Sequence, residues 1–227
     1  LRRSSAASDV YKRQLIKVKN RTITVRGVEE LKLQDYKVIP DRIEAGSYIL
    51  ATMATKGRLK LNNFNPKDLA LPLKLYKGMG LKIKKLSNTS YEIFCKTLKP
   101  IKKISTKEFP GYPTDLQAQL IATQLKSGLN SKVVENIFEN RFIHIPELRR
   151  FGANLSIKGK TVTIDKTSNL LGAEVMATDI RASFSLIIAA MMSQGKTVIN
   201  RIYHLDRGYE DFDLKLKKCG VNISRKK

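Results

Sequence analysis

The sequence predicts an α/β fold with its layers inverted, apolar helices at the centre and β-sheets outside them. Two observations carry this. First, a helix–strand–helix–strand order occurs three times, in segments that begin DRIEAGSYILATMATKG (41–57), DLQAQLIATQLKSG (115–128) and DIRASFSLIIAAMMSQG (179–195). Second, the opening helix of each copy is apolar on most of its surface; SFSLIIAAMM carries no charge across ten residues. A helix apolar all round is a buried one, so three such helices belong inside and their strands outside.

The elements follow in order. Residues 1–14, LRRSSAASDVYKRQ, are small, polar and basic with no helical or strand period, and are expected to be a non-native leader outside the fold. Residues 15–38 are expected to form a strand (15–19), a turn at Asn20-Arg21, a strand (22–25) and a link. A hairpin with nothing upstream to pair with is expected to be the last piece of a truncated first domain. Residues 39–227 are expected to be a second domain, with repeats at about 39–104, 105–170 and 171–227.

Each opening helix ends at a Gly that can take the left-handed terminating conformation, namely Gly57, Gly128 and Gly195. Short β-rich runs follow at 58–64, 129–138 and 196–203. A second helix then leads to a second Gly, at spacings of 23, 24 and 25 residues: Gly57 to Gly80, Gly128 to Gly152, Gly195 to Gly220. A further strand closes the first two copies (91–96, 161–165). The third copy is expected to end on a strand reaching Ile223, one strand short of the others, with the missing strand supplied by the start of a longer polypeptide. Pro72 falls inside the second helix of the first copy, where an interior Pro costs about 3 kcal/mol, so a bend or a late helix start is expected there.

Composition excludes several classes. The 227 residues are 42% hydrophobic and 28% charged, with 13 Gly and 7 Pro. Collagen, low-complexity disorder and a disulfide scaffold are ruled out, and no apolar run reaches the roughly 18 residues of a membrane span. Cys95 and Cys219 lack a CxxC partner and are expected to be reduced core thiols of a cytosolic protein. Lys and Arg number 43 against 20 Asp and Glu, a net charge of +23. That charge attracts polyanions, phosphorylated metabolites or nucleic acid, or reflects a Lys-rich composition without a role. Aromatic and basic residues do not interleave as they do in RNA-stacking sheets.

Three equivalent helices with convergent N-termini make an anion site, because each end carries partial positive charge and unpaired N–H groups. Asp41, Asp115 and Asp179 stand where N-caps stand, and capping alone would account for each. Arg42 and Arg181 fall in first turns, where the helix dipole disfavours a cation unless an anion answers it. Arg141 and Arg207 follow the strands of the second and third copies. Arginine forks suit phosphate and carboxylate.

Five collinear stretches, PDRIEAGSY, FPGYPTDLQAQ, IFENRFIHIPELRRFGA, VMATDIRAS and IYHLDRGYE, resemble the enolpyruvyl transferases. They look most like the family of UDP-N-acetylglucosamine 1-carboxyvinyltransferases and less like the 5-enolpyruvylshikimate-3-phosphate synthases. The resemblance runs from about Leu15 to Ile223. It implies the inside-out α/β barrel domain of that family, in the second of two similar domains with a site between them. It also implies that the loop cysteine and Lys-Asn pair of the family belong to a missing N-terminal half, so neither Cys95 nor Cys219 takes the cysteine's role.

The implied reaction moves the enolpyruvyl group of phosphoenolpyruvate to the 3-hydroxyl of UDP-N-acetylglucosamine, the first committed step of peptidoglycan synthesis. By the PTD motif, Asp115 would hold the sugar hydroxyl and act as base. Ile137 would meet the nucleotide sugar through its main chain, from the end of its strand. By the DRGYE motif, Arg207 would fold over phosphoenolpyruvate. Arg141 and Arg181 would add positive field, and Asp179 would orient Arg181 or its neighbours. Asp41 and Arg42 would join the two domains. No cofactor, metal, specific nucleic acid or membrane partner is implied, and this chain is expected not to turn over substrate alone. A basic nucleic-acid-binding protein and the shikimate-type reaction are the alternatives.

The other candidates are weaker. His144 and His204 have no third ligand at zinc spacing. His144 is expected to start the helix of HIPEL, and His204 to lie near the cleft without a role. Glu139 and Glu210 would pair with the arginines or be ordinary surface charge. GMG at 78–80 reads as a helix end, not a phosphate loop.

Overall fold

The computed structural model describes residues 15–20, 22–27, 35 and 37–226. The leader expected at 1–14 lies outside them, as does most of the link expected before residue 38. The chain divides into two compact units, Leu1–Pro40 and Asp41–Lys227. In the first, β1 (Leu15–Lys19) and β2 (Thr22–Arg26) pair as an antiparallel hairpin, with Lys19 opposite Thr22. Asn20 turns the chain at φ 53°, a left-handed value that Asn tolerates better than most residues.

In the second unit the first copy runs α1 (Arg42–Ala54), β3 (Arg58–Leu61), a 3₁₀ turn (Pro66–Leu69), α2 (Ala70–Gly78), β4 (Lys82–Lys85) and β5 (Tyr91–Phe94). The second copy runs β6 (Lys103–Ser105), a 3₁₀ turn (Thr114–Leu116), α3 (Gln117–Thr123), β7 (Ser131–Val134), α4 (Ile145–Arg150), β8 (Leu155–Lys158) and β9 (Thr161–Ile164). The third runs β10 (Glu174–Met176), α5 (Phe184–Met192), β11 (Val198–Asn200), α6 (Tyr203–Asp206) and α7 (Phe212–Lys218).

The inverted layering is present. Every residue of α3 is buried, and so are nearly all of α1 and α5. Three separate sheets accompany them: β3-β5-β4, β6-β7-β9-β8 and β10-β11. Burying a helix all round forces its polar side chains to find partners inside. Gln119 of α3 donates to Ser47 Oγ of α1 at 3.1 Å, and Thr123 donates to the Leu50 carbonyl at 3.2 Å. Each step down α3 meets the next step down α1, so the two helices run in parallel. Gln119 also reaches the Arg181 carbonyl, and Tyr48 packs on Phe184 at 5.4 Å. All three N-termini therefore lie at one end of the helix bundle.

Several elements depart from the sequence reading. β6 and β10 precede their central helices and pair in parallel with the strands that follow them, β7 and β11. At three residues each they are too short to show a period of two. The run at 129–138 yields a strand only over Ser131–Val134, which leaves Ile137 in the bend beyond it. No strand forms at 221–226 among the described residues. There Arg225 folds back to Asp206 at 2.7 Å and Asp213 at 3.0 Å, an arrangement that draws the tail toward α6 and α7.

The glycines divide. Gly195 is left-handed at φ 86°, and so are the second glycines Gly80, Gly152 and Gly220. Gly57 and Gly128 are not; Lys56 takes the left-handed position of the first copy instead, at φ 54°. Gly128 is small for another reason: a Cβ there would sit 2.8 Å from the Ile164 carbonyl of β9. Pro72 is the third residue of α2, so the helix starts late, and its missing N–H falls among the first-turn donors that have no helical acceptor. Cys95 is buried, but Cys219 is exposed, contrary to the expected core thiol. Among the described residues no helix is long and apolar enough to cross a membrane.

Candidate active site at the helix N-termini

The three aspartates at the convergent ends do three different things. Asp41 caps α1, accepting from the Ile43 N–H at 2.8 Å. Its other oxygen accepts from Arg181 Nη2 at 2.7 Å. Asp179 accepts from the Arg181 N–H at 2.7 Å and from the Ala182 N–H, and so caps the turn ahead of α5 rather than the helix itself. Asp179 thus fixes the Arg181 main chain and leaves the guanidinium to Asp41. Asp115 caps nothing. It lies within the 3₁₀ turn before α3, and Oδ1 accepts from Arg141 Nη2 at 2.7 Å.

Arg181, expected in the first turn of α5, instead lies in the turn ahead of it, and its charge is answered from inside the molecule. Arg181 pairs with Asp41, donates from Nη1 to the Gly208 carbonyl at 2.7 Å, and lies 5.2 Å over the Tyr209 ring. Burial works against its charge, but hydrogen bonding to Asp41 and attraction by it outweigh burial and hold Arg181 above its ordinary pKa. Arg141 is similarly seated, 4.9 Å over the Phe138 ring. Such charge-assisted bonds are short and orienting. Arg42 lies 5.2 Å over the Phe109 ring.

The arrangement leaves chemistry available at two points. The Asp115 side chain is 42% exposed while Arg141 is only 19% exposed. Among the described residues no hydrogen bond reaches Asp115 Oδ2, so an incoming hydroxyl can donate there. Arg207 is exposed, and among the described residues no ion pair holds it. It follows α6 directly and precedes Gly208, whose carbonyl Arg181 holds. A cleft of about 720 Å³ lies beside this loop, lined by Asp41, Asp206, Arg207 and Tyr209 among others. Asp115, Ile137 and Arg141 are not among its walls. Gln119, one turn beyond Asp115, ties that side to Arg181.

Ile137 is half-buried, and its N–H donates to Glu135 Oε1 at 2.8 Å. Glu135, Gln119, Ser47 and Tyr209 were not singled out by the sequence. Tyr209 is buried beneath Arg181 and hydrogen-bonds Ser47 at 2.8 Å and Gln119 at 3.1 Å. An acidic residue inside the apolar run VVENIF was the available signal for Glu135. Glu210 faces Lys215 at 3.7 Å rather than an arginine, and Glu139 is exposed. His144 stands at the start of α4, fully buried, and burial lowers its pKa to about 3. Within that value the Arg141 charge acts in the same direction as burial and the Arg141 carbonyl acts against it, though neither ring nitrogen makes a hydrogen bond of ordinary geometry. His204 packs on Tyr203 at 4.3 Å.

A bundle of buried parallel helices, walled by sheets and ending in carboxylate–guanidinium pairs, defines an enolpyruvyl transferase domain. The chain belongs to the family described as EPSP synthase (3-phosphoshikimate 1-carboxyvinyltransferase), whose model matches residues 12–216. It is 49% identical over 207 residues to the UDP-N-acetylglucosamine 1-carboxyvinyltransferase of Pelagibacter ubique, covering 90% of this chain and 49% of the relative. It is 45% identical to the protein of the same name from Rhodopseudomonas palustris (strain TIE-1), covering 89% of this chain and 47% of that one. The chain spans about half the length of these curated relatives. Among solved structures, the enolpyruvyl transferase NikO from Streptomyces tendae superposes with a TM-score of 0.82 at 26% identity, over 95% of this chain and 52% of that one. The EPSP synthase from Acinetobacter baumannii shares the fold at a TM-score of 0.68 and 14% identity, over 93% of this chain and 52% of that one.

Proposed function

We propose that this chain forms one wall of a site that transfers the enolpyruvyl group of phosphoenolpyruvate to the 3-hydroxyl of UDP-N-acetylglucosamine, opening peptidoglycan synthesis in the cytoplasm. The observation that carries the proposal is Asp115: a carboxylate anchored by Arg141 through one oxygen and open to a hydroxyl through the other. The names of the relatives at 45–49% identity support the substrate pair.

In this reading Asp115 accepts the 3-hydroxyl proton as the sugar oxygen attacks C2 of phosphoenolpyruvate. The methylene carbon takes a proton from an acid on the other wall. Loss of a proton from the resulting methyl group then expels phosphate and restores the double bond. Addition needs the base within hydrogen-bond reach of the hydroxyl, and the pair with Arg141 holds it in place. Arg207, which lines the cleft and has no ion pair among the described residues, is the residue proposed to swing onto the phosphate and carboxylate of phosphoenolpyruvate. Arg181 and Asp179 hold the loop that carries Arg207, because Arg181 grips the Gly208 carbonyl. The Ile137 N–H is committed to Glu135, so its main chain offers the sugar its carbonyl.

The half of the relatives that this chain does not span is the proposed partner and the source of the acid. The chain alone and the chain mixed with the N-terminal half of a relative are assayed for phosphate release from the two substrates. Release by the mixture and none by the chain alone is expected. A mixture that binds both substrates without releasing phosphate would refute the reading.

A further inference from the structure

Glu135 is 1% exposed and accepts four hydrogen bonds. Oε1 takes the Thr106 hydroxyl at 2.9 Å, the Ile137 N–H at 2.8 Å and the Phe138 N–H at 3.1 Å. Oε2 takes the Thr114 hydroxyl at 2.8 Å. The Thr106 hydroxyl in turn accepts the Asn136 N–H at 2.8 Å. A buried carboxylate is costly unless such donors satisfy it. Here two are local, at Ile137 and Phe138, and two are remote, at Thr106 and Thr114; the Thr114 turn and the 137–138 bend each carry a piece of the candidate site.

Thr114 directly precedes Asp115 in the 3₁₀ turn. Phe138 lies under the Arg141 guanidinium, and Arg141 closes onto Asp115. The contacts form a ring: Glu135 to Thr114, Asp115 to Arg141, Phe138 back to Glu135. The same carboxylate fixes the main chain at Ile137. Neither Asp115 nor Arg141 touches Glu135, so its influence passes through the turn and the bend.

We propose that Glu135 is a positioning residue of this site, a single buried carboxylate that sets both the Asp115–Arg141 pair and the Ile137 main chain against the nucleotide sugar. The sugar part of this statement rests on the function proposed above, whereas the effect on the pair does not. Glutamine keeps the shape but turns one acceptor into a donor, which opposes the Ile137 and Phe138 N–H groups if it faces them and reverses the bond to the Thr114 hydroxyl, with a weaker neutral partner, if it faces Thr114. The ring then loosens on the Thr114 side or on the Ile137–Phe138 side. A misplacement of about 1 Å at a reacting group can cost about 10²-fold in rate.

Two variants and two measurements test this. Glu135→Gln disturbs the whole ring; Thr114→Val removes only the link to the Asp115 turn and spares the folded core. In the 227-residue chain, the Arg141 side-chain Nε–H resonance is followed by NMR. It is expected to shift in both variants while residues of β3–β5 stay in place. An Arg141 signal unmoved in both variants overturns the proposal, whatever the substrates prove to be. In the complemented mixture, Glu135→Gln is expected to lower kcat/KM for UDP-N-acetylglucosamine by about 10²-fold, with KM for phosphoenolpyruvate within threefold of the parent. A loss of rate wholly accounted for by a lower melting temperature would show a purely structural residue and also overturn it. If the parent mixture does not turn over, the function reading fails, and the NMR result alone decides Glu135.

Discussion

At the residue scale, charge is managed in pairs. Arg181 and Arg141, two of the arginines that the sequence suggested as bare positive field, are each answered by an aspartate at 2.7 Å. Arg207 is exposed and has no ion pair among the described residues, and the proposed function gives it the anion of phosphoenolpyruvate. Arg207→Ala in the complemented mixture is expected to raise KM for phosphoenolpyruvate at least tenfold and to leave the dissociation constant for UDP-N-acetylglucosamine within threefold; steady-state kinetics and calorimetry check the two sides. His144 gives a prediction about pH. Burial lowers its pKa from 6.5 to about 3, so below pH 6.5 the unfolded chain binds a proton that the folded chain refuses. The stability this group contributes is whole above pH 6.5 and is lost as pH falls toward 3. Between pH 7.5 and 5.5 the loss is about 1 kcal/mol. Urea unfolding at the two pH values should show it, and His144→Phe should flatten the difference.

At the element scale, the three copies share a plan but not its fittings. The second glycines are all left-handed, yet their surroundings differ. A Cβ on Gly80 (φ 111°) would lie 2.1 Å from the Thr97 carbonyl, while one on Gly220 (φ 88°) meets nothing within 4 Å. Gly220→Ala should cost only the backbone strain, about 1 kcal/mol, and Gly80→Ala about 3 kcal/mol or more; denaturant midpoints at constant m-value compare them. The central helices were legible because apolar residues cover most of their surface and no charge breaks their middle. Of the three glycines expected to end the opening helices in the left-handed conformation only Gly195 does so, whereas the late start of α2 at Pro72 was legible for a local steric reason. β6 and β10 were not, because three residues paired across the molecule leave no period. Asp115 looked like an N-cap because its sequence neighbours are helical. It pairs instead with Arg141, 26 positions on, and no local pattern records that contact. Glu135 was hidden in the same way: its donors at Thr106 and Thr114 meet it only once the sheet and the turn have formed.

At the scale of the molecule, inverted layering explains where the site is. Burying three parallel helices side by side brings their unpaired N–H ends together, and the buried Ser47–Gln119–Tyr209 cluster locks that level. The end so formed carries the Asp115–Arg141 pair, and Arg207 stands exposed after α6. The proposed function places the acid and the facing wall in the half of the curated relatives that this chain does not span. The most direct test is Asp115→Asn in the complemented mixture, read as phosphate released per second from UDP-N-acetylglucosamine and phosphoenolpyruvate. The rate should fall by about 10²–10⁴-fold, the usual worth of a positioned base, with the nucleotide sugar still bound. A rate within threefold of the parent would contradict the account.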